Sequence, residues 1–260
     1  MFRYVCGCVR FIALIVISLS LVACGRNLSD LNLPVPSGSL IQSTTDYPGV
    51  GMVVLPGGAG ICTGTFISDS TVLTAAHCLH SSGQYSFMTS AGTFTTYTKY
   101  IMGSGSVDDP NDIGLLVFNP GTAQSDQIYP LGNSVNAGDT IRLVGVGCNN
   151  LSTRMGAGVK RTGTNVVAAV DDYIEFLTPS NYTARGILGP SNRAGSCFGD
   201  SGGPAFSVVN GQLQVVGVTH AGGDDGTNIT SEYVNVGNRS DNRSWLSQKN
   251  SQFNLGIQGL

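Results

Sequence analysis

The sequence predicts an all-β protein, built as β-barrels or as a sandwich. Two observations carry this. About ten short runs rich in Val, Ile, Leu and Thr alternate with Gly, Asn, Asp and Ser, the spacing of strands and tight turns in closed or stacked sheets. Glycine supplies 36 of the 260 residues and charged residues only 11%, a balance that suits a turn-rich chain. The length is enough for one large core or two modest ones.

The elements follow in order. Arg3 and Arg10 give a positive start, and Phe11 to Val22 is an apolar run too short to span a bilayer comfortably. It ends in "LVAC", Leu21 to Cys24. Small residues followed by a cysteine resemble a bacterial lipobox, so residues 1–23 read as a signal peptide and Cys24 as a lipidation site that anchors the mature chain to a membrane. Ordinary secretory cleavage near Ala23 is the rival reading, and an uncleaved N-terminal membrane anchor is a third. Residues 24–40, with two prolines and no sustained period, read as a linker.

From Ile41 the texture changes to strands: "GVGMVVL", "GTFISDSTVLTAAH", "DIGLLVF", "TIRLVGVG", "TNVVAAV", "DYIEFL", "QLQVVGVTH" and "SEYVNVG". Asn210-Gly211 inside "VNGQL" is a strong hairpin signal. A single helix is expected at about 240–248, where "DNRSWLSQ" puts Trp245 and Leu246 on one side. Residues 249–260 read as a tail. No internal repeat stands out.

Several function classes lose support. The net charge is −3 with no Lys/Arg stripe, so nucleic-acid binding has no electrostatic basis. No His, Cys or carboxylate set has metal-ligand spacing and no phosphate-binding glycine loop is present, so neither metal nor cofactor is expected. Of the seven cysteines, Cys6 and Cys8 leave with the signal peptide and Cys24 carries lipid. Cys62, Cys78, Cys148 and Cys197 remain. An exported chain meets an oxidising compartment, so two disulfides are expected, with three connectivities open.

Three stretches carry chemistry together. "LTAAHC" sets His77 after an apolar strand, "NDIGLL" sets Asp112 at the mouth of a buried strand, and "GDSGGP" sets Ser201 in a glycine-rich turn. A serine hydroxyl is a weak nucleophile near neutral pH and needs a base within hydrogen-bond reach; an imidazole suits, and a buried carboxylate fixes its tautomer. His80 in "HCLH" and Asp108 and Asp109 in "VDDPND" lack this wording and read as surface and loop residues.

In wording and order these stretches resemble the trypsin-like serine proteases of chymotrypsin fold, over roughly Ile41 to Gln248. The resemblance implies two six-stranded antiparallel β-barrels, about 41–125 and 126–240, with a short C-terminal helix and the active site in the cleft between barrels. It implies a monomeric endopeptidase acting on polypeptides, with Ser201 as nucleophile, His77 as general base and Asp112 orienting it. The backbone N–H groups of Gly199 and Ser201 would form the oxyanion hole. A catalytically silent binding module and an esterase using the same serine are the alternatives.

The resemblance also implies a Cys62–Cys78 bridge and, with it, Cys148–Cys197; the usual partner of the second cysteine lies downstream of the serine, where this chain has none. The pocket departs from the trypsin pattern. Gly195 stands where an aspartate would bind a basic side chain, followed by Ser196, and "THAGG" brings His220 and Gly222 to the pocket strand. His220 either faces an acidic substrate side chain or replaces the strand serine that faces the triad carboxylate; an apolar or small side chain is the preferred substrate reading. Asp200 would form the activation ion pair, either with the amine of a chain freed at Leu40 or Ile41 or with an internal cation such as Arg142.

Overall fold

The structure is a computed structural model that describes residues 46–106, 109–133, 135–151, 153–179, 193–225 and 227–260. The signal segment 1–23, Cys24, the linker 24–40, the Leu40 and Ile41 positions and Asp108 lie outside the described residues.

Seven strands form the first half: β1 (Val50–Val54), β2 (Ile61–Phe66), β3 (Thr71–Thr74), β4 (Tyr85–Thr89), β5 (Gly92–Thr96), β6 (Lys99–Met102) and β7 (Ile113–Val117). They pair antiparallel in the order β5-β4-β1-β2-β3-β7-β6. The second half holds β8 (Thr140–Gly145), β9 (Arg161–Val170), β10 (Tyr173–Pro179), β11 (Pro204–Val209), β12 (Gln212–Asp224) and β13 (Asn228–Asn235), closed into a barrel in the order β10-β13-β12-β11-β8-β9. One helix, α1 (Ser240–Phe253), follows.

The expected class therefore holds: mostly β, two sheet units and one short C-terminal helix. The second unit has the expected six strands. The first has seven, because the turn after β4 returns the chain as β5, whose Thr93 and Thr95 are exposed while Gly92 and Phe94 are half-buried and Thr96 is buried. Such a strand can sit at the rim of a sheet with one face in water.

Local chemistry explains the joints. Asn210 (φ 52°) and Gly211 (φ 81°) are both left-handed, as a two-residue hairpin between β11 and β12 requires. Along β4, Tyr85 and Phe87 are buried while Ser86 and Met88 are not, the period-2 pattern of a strand with one face on the core. Phe66, Phe87, Phe94 and Phe118 meet in that core, with Phe66 edge-on to Phe87 at 5.0 Å between centroids; a fully buried ring such as Phe66 contributes about 1.5–3 kcal/mol. In the second half Ile141, Leu143, Ile174, Phe176 and Tyr233 fill the barrel.

The helix runs five residues past the expected end at 248, to Phe253. Its last turn is held by aromatic contact: Phe253 stacks on Tyr100 of β6 at 4.4 Å, with the Lys249 ammonium over both rings. Beyond it Leu255 and Ile257 are buried, so part of the expected tail packs on the sheets.

Candidate active site

His77 sits in a 3₁₀ turn, Ala76–Leu79, directly after β3. A disulfide from Cys78 to Cys62 ties this turn to β2. Asp112 lies one residue before β7, fully buried. The two meet twice: Asp112 Oδ1 accepts from the His77 backbone N–H at 2.8 Å, and Asp112 Oδ2 lies 2.7 Å from His77 Nδ1. The side chain of His77 is 31% exposed, so its outer nitrogen can reach a substrate.

A second imidazole shares the same oxygen. His220 of β12 places Nδ1 2.5 Å from Asp112 Oδ2, and its ring stacks on Tyr173 at 5.4 Å. The sequence left His220 between the pocket and the carboxylate; it lines the cavity and is bonded to the carboxylate. Burial by itself would push the Asp112 carboxyl up, but hydrogen bonds from His220 and then His77 outweigh it and hold the group below its usual range. His77, Asp112 and His220 bring three possible metal ligands together, yet both Nδ1 atoms already face one carboxylate oxygen as hydrogen-bond partners. Asp109 instead closes its own loop, accepting from the Ser104 hydroxyl and the Asn111 N–H, and His80 is exposed beside Gly105.

The Ser201 turn is built almost wholly from backbone. Gly199 has φ +97° and Gly202 φ +84°, conformations that favour glycine. A side chain at Gly202 would also run into the Thr63 carbonyl and the Thr74 hydroxyl. The Phe198 carbonyl accepts from the Cys148 N–H at 2.9 Å, and the Asp200 carbonyl from the Gly203 N–H at 2.8 Å. Because a trans peptide points its N–H opposite to its C=O, these two bonds turn the N–H groups of Gly199 and Ser201 the other way. Among the described residues neither of these N–H groups has an acceptor.

Asp200 anchors this turn from inside. It is 1% exposed and accepts from the Gly147 N–H (2.6 Å) and the Cys197 N–H (2.8 Å). Desolvation pushes its carboxyl up to about 7, against those two bonds and the field of Arg161. Arg142 is buried elsewhere, and its Nε and Nη1 find no partner among the described residues. The guanidinium acting on Asp200 is thus Arg161, not Arg142. Cys197 itself is joined to Cys148.

A cavity of about 660 Å³ opens beside these groups, lined by His77, Ser201, Ser196, His220, Gly222 and Ile229 among others. Gly195 lies behind the wall: a Cβ there would sit 3.0 Å from the Thr178 hydroxyl and 3.4 Å from that of Ser231. Ser231 accepts from the Ser196 N–H at 2.9 Å. The groups nearest a side chain at Gly195 would thus be the hydroxyls of Thr178 and Ser231. Asp224 stands at the mouth, as does Phe198, which is covered by the Arg154 guanidinium at 4.1 Å.

Sequence reasoning missed four contributors: Gly147, Arg161, Thr63 and Tyr173. The clue for Gly147 was present in "GVGCNN", two glycines before a cysteine. A Cβ at Gly147 would lie 2.5 Å from the Asp200 carboxyl carbon, so only glycine lets the loop approach. Thr63 joins the halves: its N–H donates to the Ser201 carbonyl (2.8 Å), its hydroxyl donates to the Gly199 carbonyl (2.9 Å), and that hydroxyl accepts from the Val146 N–H (3.1 Å).

Comparison with known proteins agrees with this architecture. The Trypsin family model matches residues 41–245. Trypsin of Xenopus laevis is 31% identical over 178 residues, covering 64% of this chain and 72% of its own. Trypsin beta of Drosophila erecta is 25% identical over 256 residues, covering 89% of this chain and 97% of its own. Among solved structures, a Glu endopeptidase in complex with MPD shares the fold with a TM-score of 0.59 at 17% identity, over 84% of this chain and 98% of that one.

Proposed function

This chain belongs to the trypsin family, and from that premise we propose a serine endopeptidase whose chemistry is carried by Ser201, His77 and Asp112. One observation supports it most: the Asp112–His77 pair opens onto the same cavity that Ser201 lines. In this reading His77 takes the Ser201 proton as the hydroxyl attacks the peptide carbonyl. Asp112 keeps the proton on Nδ1 and stabilises the imidazolium that forms. The N–H groups of Gly199 and Ser201 receive the developing oxyanion. His77 then passes its proton to the leaving amine, and water repeats the cycle on the acyl-enzyme.

The pocket favours an uncharged, small or apolar side chain before the cut. Ile229 and Gly222 form part of its wall, and the groups nearest Gly195 are the hydroxyls of Thr178 and Ser231. A Glu endopeptidase shares this fold. Here, however, the imidazole that could receive an acidic side chain is bonded to Asp112. Two disulfides fit an oxidising, extracellular setting. Among the described residues no helix is long and apolar enough to cross a membrane. We place the mature chain as an exported monomer, tethered through Cys24 if the lipobox is read.

A cleavage profile tests the proposal. Mature protein is mixed with a diverse peptide pool and the new termini are read by mass spectrometry, with Ser201→Ala as control. Cuts that vanish in the control, after small or apolar residues, are expected. No cuts from the wild-type chain would favour a silent binding module, and hydrolysis of esters alone would favour an esterase.

A further inference from the structure

Arg161 lies at the start of β9, 3% exposed, and among the described residues its guanidinium donates only to backbone carbonyls of one loop, those of Gly147, Gly156 and Val159. Nη1 donates to the Gly147 carbonyl at 2.8 Å and Nη2 to the Gly156 carbonyl at 2.8 Å. A buried cation spent on carbonyls calls for a reason beyond loop closure, since taking it from water is costly. The chain of bonds that begins there supplies one.

The Gly147 carbonyl belongs to the peptide whose N–H is that of Cys148. That N–H donates to the Phe198 carbonyl at 2.9 Å. The Phe198 carbonyl in turn belongs to the peptide whose N–H is that of Gly199. Each trans peptide carries its dipole onward in one direction. The series runs from guanidinium to the Gly147–Cys148 peptide, to the Phe198–Gly199 peptide, and ends at an N–H that has no acceptor among the described residues. The Cys148–Cys197 disulfide clamps the two peptides side by side. The same loop gives the Gly147 N–H to Asp200 at 2.6 Å, so it fixes the turn from both ends.

We propose that Arg161 is a positioning residue for the oxyanion hole, acting through two aligned peptides to orient and polarise the Gly199 N–H, and that this internal brace holds the turn without a freed chain terminus. A peptide whose carbonyl accepts a hydrogen bond becomes a stronger donor at its own N–H. A cation heading the series therefore favours negative charge at the other end, which is where an acyl transfer develops it. This rests on the serine-peptidase reading above.

The test compares two inhibitors on the full mature chain: a peptide aldehyde with a small apolar terminal residue, and the corresponding alcohol. The aldehyde adds to Ser201 and forms an oxyanion; the alcohol fills the same pocket and forms none. In Arg161→Gln and Arg161→Met, the aldehyde affinity and kcat are expected to fall about tenfold or more, short of the roughly 10²–10³ lost when a donor is removed outright. Alcohol affinity and KM stay near wild type, and Arg161→Lys restores most of the loss. Either neutral variant that folds, judged by its circular dichroism, carries the comparison. An unchanged aldehyde-to-alcohol ratio, or equal losses for both inhibitors, overturns the proposal. Activity confined to chains whose first residue is Leu40 or Ile41, read by mass spectrometry, overturns the internal brace. A wild-type chain that binds both inhibitors alike overturns the serine-nucleophile reading, and this proposal with it.

Discussion

Asp112 and Asp200 are both sealed from solvent, one in each half of the molecule, and their surroundings drive them in opposite directions. Asp112 sits among imidazoles. It accepts from a backbone N–H and two histidine rings, and these partners hold its carboxyl below the ordinary range despite burial. Asp200 sits among neutral peptides. It accepts two backbone N–H bonds, Arg161 acts on it through its field, and desolvation raises it to about 7. Equal burial gives unequal ionisation because the partners differ: a ring that can take up a proton answers the charge of a carboxylate, whereas an amide supplies only a dipole. The difference matches the tasks. In the proposed mechanism Asp112 meets the charge that appears on His77 during turnover, while Asp200 holds the serine turn still.

Substituting each aspartate by its amide breaks this pair most severely. Asp112→Asn removes the acceptor that selects the His77 tautomer, and kcat should fall by about 10⁴-fold with folding retained; steady-state kinetics beside a circular dichroism spectrum checks it. Asp200→Asn leaves one oxygen for two N–H donors and turns an amide NH₂ toward the other. The loop then loses its grip on the turn, and kcat should fall about 10²-fold, with KM little changed.

Stability against pH sharpens the contrast. Asp112 is held below its unfolded value, so its contribution is present above that value and is lost as pH falls through the folded one. Asp200 is held above: between about pH 4 and 7 the native state binds the proton that the unfolded chain has released, so stability declines as pH rises through that window. The decline should be on the order of 1 kcal/mol per pH unit. Urea denaturation from pH 4 to 8 should show a downward component that Asp200→Asn abolishes.

The smallest effect belongs to His220→Ala. Losing this donor leaves the Asp112 charge to His77 alone and favours its imidazolium. The acid limb of kcat/KM should move to higher pH, with kcat reduced less than about tenfold. An acid limb that stays in place would mean that the second imidazole only fills space.

What could be read in advance was what is local. His77, Asp112 and Ser201 each carry their own wording, and Asn210-Gly211 encodes its turn in two residues. The six strands of the second barrel follow the apolar runs, apart from β11, which the glycine-rich motif before it obscured. Strands β4, β5 and β6 were not singled out because "YSFMT", "GTFTT" and "KYIM" mix hydroxyls with apolar groups and show alternation only once a core defines which face is inside. Arg161 was invisible for another reason. Its part depends on a loop folding back on a turn about forty residues further along the chain, and nothing within its own segment announces the meeting. His220 was legible as an oddity on its strand, and geometry tied it to Asp112.

Thr63 has a consequence of its own. Its amide is bonded to Ser201, and its hydroxyl joins Val146 to Gly199, all between halves that are separate in sequence. The two sheets therefore cannot part by a small hinge motion that spares the serine turn. Deuterium uptake at the Thr63 and Val146 amides should be as slow as at the barrel centre, since both open only when the whole molecule does. The contact between the halves is in this sense stitched through the serine turn itself.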